Sequence, residues 1–255
     1  MNLRHRLGPC AYAALHAPIM VRELMLSRSE RRIAQHDAAR LHVRLPFLQT
    51  YDQFASEYRH RLQRPYQDYT SRISPDPIAI SLELATFLAV MCARCQPRSI
   101  LDLGSGFSSF VFRTYAKELQ PQTLVYSVDH SSIWLNTTRG FLHDHGLDCR
   151  GLLTWEAFVA VTERPRFDLI LQDMSDLESR CRQLDMIIEA CSPTGMIVMD
   201  DMHVPGYRRA ILDDLDRHRL SYYSLRDFTR KRLRYAYLAT PPTRSLQTVE
   251  KDGGS

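Results

Sequence analysis

The stretch Ser99-Ile100-Leu101-Asp102-Leu103-Gly104-Ser105-Gly106-Phe107-Ser108-Ser109 constrains the fold more than any other part of the chain. Residues 100–103 form an apolar run that reads as a buried strand. The run breaks at two glycines, and a helical pattern resumes over residues 107–119. Strand, glycine turn and helix in that order make a ligand-binding corner of an open α/β sheet, because ligands sit outside the carboxyl ends of the strands. Gly104 and Gly106 lack Cβ atoms, so the chain can turn tightly and a ligand can approach closely. Gly104, Ser105 and Gly106 are therefore candidate ligand-binding residues. A glycine turn with no cofactor stays open on this stretch alone.

A dinucleotide site needs a third glycine three residues after the second, where the pyrophosphate meets the helix. That position is Ser109, so a dehydrogenase is disfavoured. Instead, an acid, Asp102, stands two residues before the first glycine. Upstream, the spacing of Ile80, Leu84, Phe87, Leu88 and Met91 predicts a helix over 78–95. Downstream, strands are expected at 124–129, 149–153, 167–172 and 196–199, with helices between them. Residues 220–227 and 233–239 read as a closing antiparallel hairpin around the polar turn 228–232.

Acids mark the ends of three of these strands. Asp129 lies about 20 residues beyond the glycine turn, where a carboxylate can accept hydrogen bonds from both hydroxyls of a ribose. Capping of the next helix is the other reading of this region. Asp173 ends the fourth strand, and Asp200 and Asp201 end the fifth. These strands would be neighbours, and three clustered carboxylates repel one another unless a cation sits among them. Oxygen donors of this kind suit Mg²⁺. Ordinary acid placement, with Asp200 and Asp201 capping a helix, is the alternative. His203 follows directly and is a candidate base; a solvated loop histidine without a role is equally admissible.

Asp102 with Gly104-Ser105-Gly106 resembles motif I of the class I S-adenosylmethionine-dependent methyltransferases. Ile73-Ser74-Pro75 is similar to the step that opens the helix before motif I in small-molecule O-methyltransferases. Asp173 with Asp200-Asp201 resembles the metal triad of the metal-dependent O-methyltransferases of the catechol, caffeoyl-CoA and macrolide-sugar types. Residues 198–209 are especially like the natural-product group. The resemblance covers about residues 73–240. Ser108 and Ser109 depart from it, and no substrate-recognition motif is evident.

The resemblance implies an α/β fold, a seven-stranded Rossmann-like sheet with an antiparallel closing hairpin. It implies S-adenosylmethionine held by Asp102, Gly104, Ser105, Gly106 and Asp129, with Trp155 or Glu156 bordering the adenine. It further implies Mg²⁺ on Asp173, Asp200 and Asp201, His203 and Asp173 as catalytic residues, and O-methylation of a hydroxylated small molecule. A methyltransferase acting on RNA or protein without metal, or an inactive adapter with this fold, are the competing readings.

Composition bounds the rest. The 255 residues accommodate one large α/β domain plus an N-terminal extension, and a net charge of +4 permits an anionic substrate or nucleic acid without arguing for either. No apolar run approaches the ~20 residues of a membrane span. The six cysteines sit in mostly apolar contexts and read as reduced residues of a cytoplasmic protein; Cys92 and Cys95 have no second pair at zinc spacing. A homodimer is compatible with the chain. Residues 1–72, rich in Arg, His, Tyr and Gln, are expected to form helices over 19–39 and 48–62. They read as a lid on the cofactor site, a solvated basic surface or an RNA-binding arm. The first 22 residues also admit a leader segment, and 241–255 read as a disordered tail.

Overall fold

The computed structural model describes residues 28–161, 163 and 165–242. The N-terminal leader and most of the tail considered above lie outside these residues. Seven strands form one sheet in the order β3-β2-β1-β4-β5-β7-β6. They are β1 Ser99–Leu103, β2 Leu124–Asp129, β3 Leu152–Thr154, β4 Phe167–Gln172, β5 Cys191–Met199, β6 Ser221–Ser224 and β7 Tyr237–Thr240. The first five run parallel, and β7 is antiparallel to both β5 and β6. β1 lies between β2 and β4, so the strand order reverses at the β1–β4 boundary. That reversal opens the crevice at the carboxyl ends of the strands.

Alternation along the strands divides the interior into two cores. Ile100, Leu169, Leu171, Val198 and Leu238 face one side, where α1 Arg28–Arg44, α2 Tyr51–Arg72, α3 Leu82–Cys95, α4 Phe107–Glu118 and α5 Ser132–Asp144 pack. Leu101, Leu103, Ile170, Ile197 and Met199 face the other. There they meet α6 Trp155–Val159, α7 Leu177–Ala190 and α8 Pro205–Arg217. Burial on both faces explains why the parallel strands read as continuous apolar runs. No helix among the described residues is long and apolar enough to cross a membrane.

The element boundaries differ from the expected ones for local reasons. The helix expected from residue 78 starts at Leu82, because the Ser81 side chain caps it by accepting the Leu84 N–H at 3.0 Å. β3 begins only at Leu152, and Trp155 and Glu156, expected in a loop, open α6. β5 starts at Cys191, five residues early. Pro193-Thr194-Gly195, expected as a turn, lies inside the strand, beside a register shift opposite Phe167 and Leu169. A bulge accommodates proline and glycine within a strand, which sequence pattern alone reads as a break. Part of the polar turn after β6 forms a short helix, α9 Arg226–Thr229. In the N-terminal region, α2 runs ten residues past its expected end and carries Tyr66 and Tyr69 into the core. α1 is tied to the sheet by buried Asp37, which accepts the Ser224 N–H at 3.0 Å.

Gly104 is the position where the fold tolerates least change. Its φ is +107°, and a Cβ there would stand 2.7 Å from the main-chain carbonyl of Asp173. Replacing Gly104 with Ala is expected to destabilise the protein by about 1–3 kcal/mol or more, through backbone strain and displacement of β4 from β1. Urea unfolding of Gly104→Ala with an unchanged midpoint would contradict this.

Candidate active site

The glycine turn is held from below. Asp102 is fully buried, and its Oδ2 accepts hydrogen bonds from Ser109 Oγ at 2.5 Å and Ser127 Oγ at 2.7 Å. Ser109 Oγ in turn accepts the Gly106 N–H at 3.2 Å. Beyond Ser127, the buried Arg113 donates to Ser127 Oγ at 2.7 Å and to the Arg150 carbonyl at 3.0 Å. Burial pushes the Asp102 carboxyl up, against the pull of Ser109, Ser108, Ser127 and Arg113. Through Oδ2, Asp102 anchors the turn from inside the fold, while its Oδ1 is buried with no hydrogen-bond partner among the described residues. Ser109, which breaks the dinucleotide pattern, is the hydroxyl that connects this anchor to the turn.

Gly104 and Gly106 also make room for contacts within the protein. The missing Cβ at Gly104 makes room for the main chain of Asp173, and the Asp173 N–H donates to the Leu103 carbonyl at 2.8 Å. At Gly106, a Cβ would stand 2.9 Å from the Tyr69 hydroxyl. Tyr69 comes from α2 and is 1% exposed; its ring packs on Phe107 and Phe141. Its hydroxyl has no hydrogen-bond partner among the described residues. Burial first, then the charges of Asp102, Asp129 and Asp173, hold it un-ionised.

The ribose-binding candidate Asp129 ends β2 and is half-buried. Its Oδ1 accepts the Ser131 N–H at 2.9 Å, and its Oδ2 lies 3.4 Å from Ser105 Oγ. A carboxylate has about four lone-pair positions, so capping and ribose binding are compatible here. Ser105 is buried, and its carbonyl accepts the indole N–H of Trp134 from α5. Trp155, half-buried at the carboxyl end of β3, lies 5.7 Å from the ring of His130, next to Asp129. Glu156 is exposed. Ser105, Gly106, Tyr69, Asp129 and Trp155 thus gather about the carboxyl ends of β1, β2 and β3, where the Tyr69 phenol is unpartnered among the described residues and Asp129 keeps carboxylate lone pairs.

The second cluster lies at the ends of β4 and β5. Asp173, Asp200 and Asp201 each place a carboxylate oxygen within 4.8 Å of the others. Two arginines join them. Arg180, from α7, sits 3.0 Å from Asp173 Oδ1 and 3.2 Å from Asp201 Oδ2. Arg234, just before β7, sits 2.7 Å from Asp200 Oδ2 and 3.4 Å from Asp201 Oδ1. The other oxygen of Asp200 accepts the Asp201 N–H at 2.7 Å. His203 Nδ1 is 3.7 Å from Asp201 Oδ1.

Charge follows position. Burial outweighs Arg180 at Asp173, and Asp200 and Asp201 add to it, so its carboxyl is pushed up to about 8. At Asp201, Arg234, Arg180 and His203 overcome burial and hold the carboxyl below its usual range. Both arginines are held firmly charged, their burial overcome by the neighbouring carboxylates. The donor set does not fit a divalent ion in this arrangement, since four of its six carboxylate oxygens already have a guanidinium or main-chain N–H partner and two guanidiniums stand beside them.

Sequence reasoning placed Asp129, Asp173, Asp200, Asp201 and His203 at the crevice, and missed Tyr69, Trp134, Arg180 and Arg234. A buried arginine that compensates acids from another strand leaves no local pattern. Arg180→Met leaves Asp173 and Asp201 partly uncompensated and is expected to cost about 3–5 kcal/mol. Urea unfolding checks this, and a loss below about 1 kcal/mol, the range of a surface ion pair, would contradict it.

No protein-family model and no curated protein sequence matches the chain. Solved structures do. A methyltransferase of Podospora anserina bound to S-adenosylhomocysteine is similar over 76% of this chain and 96% of its own, with a TM-score of 0.59 and 14% identity. An O-methyltransferase of Bacillus cereus in complex with S-adenosylhomocysteine matches over 70% and 88%, with a TM-score of 0.54 and 17% identity. An O-methyltransferase of tomaymycin synthesis from Streptomyces achromogenes, in complex with S-adenosylmethionine, matches over 71% and 89%, with a TM-score of 0.54 and 14% identity. At such identities the likeness is one of fold, and this chain has the seven-stranded fold of the class I methyltransferases.

Proposed function

We propose that the protein is an S-adenosylmethionine-dependent methyltransferase that methylates an oxygen of a hydroxylated small molecule. The observation that carries this reading is the crevice itself. A glycine turn, a carboxylate at the end of β2 and a carboxylate cluster at the ends of β4 and β5 converge at the strand-order reversal of a methyltransferase fold. The relatives in fold bound to S-adenosylhomocysteine or S-adenosylmethionine support the cofactor class.

When bound, S-adenosylmethionine supplies a methyl group already activated on a sulfonium sulfur. The chain's task is then alignment and proton handling, of which alignment can contribute on the order of 7–11 kcal/mol. Asp129 accepts hydrogen bonds from the ribose hydroxyls, Trp155 borders the adenine, and the Ser105-Gly106 turn lies along the methionine portion. Tyr69 covers the turn from the N-terminal helices and offers its phenol to the ligand, which gives those helices the covering role expected of a lid.

Asp173 accepts the proton of the substrate hydroxyl. It adjoins the glycine turn, and its Oδ1 meets Arg180 while its Oδ2 has no hydrogen-bond partner among the described residues. A carboxyl held near neutrality is a better proton acceptor than an ordinary one. His203, beside Asp201, orients the substrate. The Mg²⁺ implied by the sequence resemblance enters none of these steps.

Calorimetric titration with S-adenosylhomocysteine tests the reading, once copurified ligand is removed. Saturable one-to-one binding is expected. Asp129→Ala should weaken it about tenfold or more, the equivalent of one to two lost hydrogen bonds. Tyr69→Phe keeps the ring packing and should weaken it roughly fivefold through the phenol alone. Wild-type protein that binds neither S-adenosylhomocysteine nor S-adenosylmethionine would overturn the proposal.

A further inference from the structure

We infer that methyl transfer in this crevice needs no divalent cation, because Arg180 and Arg234 permanently occupy the counter-ion positions among Asp173, Asp200 and Asp201. The spacing of the three carboxylates alone would admit an ion, with one oxygen from each within 4.8 Å of the others. Mg²⁺, however, demands about six oxygen ligands in near-octahedral array at roughly 2.0–2.1 Å. Three of the four oxygens of Asp200 and Asp201 are hydrogen-bonded, by a guanidinium or by the Asp201 N–H, and the fourth, Asp201 Oδ1, faces Arg234 Nε at 3.4 Å. Asp173 shares its Oδ1 with Arg180.

Neither arginine is free to swing aside. The Arg180 side chain is 6% exposed. Its Nε donates to the Met174 carbonyl at 3.1 Å and its Nη2 to the Asp173 carbonyl at 3.0 Å. The Nη1 of Arg234 donates to the carbonyls of Ala79 at 2.9 Å and Pro77 at 3.1 Å, on the segment leading into α3. An entering dication would have to break several ion pairs and then sit beside one buried and one half-buried guanidinium. Like charges at such distances in a poorly hydrated site repel strongly.

A chemical consequence follows if the crevice is a methyltransferase site, as proposed above. A guanidinium does not withdraw electrons from a bound alcohol as a Lewis acid does. The hydroxyl proton therefore passes directly to a carboxylate as the oxygen–methyl bond forms and the sulfur–methyl bond breaks. Arg234 and Arg180 are positioning residues in this scheme, since they act through the carboxylates they hold.

Electron paramagnetic resonance of Mn²⁺ tests the inference without a substrate, because protein-bound Mn²⁺ drops out of the free-ion signal. Wild-type protein is expected to leave the signal of micromolar to millimolar Mn²⁺ undiminished. Its thermal midpoint and its affinity for S-adenosylhomocysteine should be unchanged by chelator. Arg234→Lys keeps the positive charge and should still exclude Mn²⁺, whereas Arg234→Met should take it up. Arg234→Gln serves in place of the methionine variant should that one not fold. Stoichiometric Mn²⁺ uptake by the wild type that Asp200→Asn abolishes would overturn the inference. So would a folded Arg234→Met or Arg234→Gln that still excludes the ion, since the arginine would then not be what keeps it out. Wild-type protein that excludes Mn²⁺ but binds no S-adenosylhomocysteine would instead sink the methyltransferase reading and leave the ion-pair assignment standing.

Discussion

Two guanidiniums clasping three carboxylates at the carboxyl edge of the sheet set the geometry of this molecule's working face. Arg180 links the ends of β4 and β5 from α7, while Arg234 links β5 to the chain entering β7 and to the segment 77–79. Each partner in such a network is expensive to desolvate, and breaking a buried pair costs more than the pair returns over a nonpolar replacement. Its value here is positional. It fixes Asp173 beside the glycine turn and holds Asp201 at a φ of +61°. It also ties the N-terminal layer to the crevice.

The glycine turn depends on a second buried polar device. Asp102, Ser109, Ser127 and Arg113 form a continuous hydrogen-bonded chain under the turn, joining β1, α4 and β2. Above the turn, Tyr69 closes over Gly106 and Trp134 binds the Ser105 carbonyl. The two glycines are thus needed for contacts within the protein. Gly104 lets β4 approach and Gly106 lets the phenol approach, and the ligand is left the polar surface between Ser105, Asp129 and Tyr69.

Much of this was legible in the sequence, for a specific reason. Parallel strands buried on both faces give unbroken apolar runs, and the acids at the ends of β2, β4 and β5 lie together because all five parallel strands end on the same edge. Asp129, Asp173, Asp200 and Asp201 could be placed that way. The same logic does not reach Asp102, an acid inside a strand end, whose Oδ2 is held in the core by Ser109 and Ser127, residues with no strand-end pattern of their own. Arg180 sits in a helix with many other polar residues, and Arg234 follows the cationic run Arg230-Lys231-Arg232. Neither pattern distinguishes a buried guanidinium from a solvated one. Tyr69 lies past a proline where the helix was expected to have ended, and the bulge at Pro193-Thr194-Gly195 mimics a turn. Local signals marked these places, but the deciding contacts come from elsewhere in the chain.

The most direct test is a crystal structure of the protein with S-adenosylhomocysteine, grown in Mn²⁺, with anomalous data. The account predicts the ribose on Asp129, the Tyr69 phenol against the ligand, and no anomalous peak among Asp173, Asp200 and Asp201, with Arg180 and Arg234 still paired to them. An anomalous peak coordinated by those carboxylates, with the arginines displaced, would contradict it.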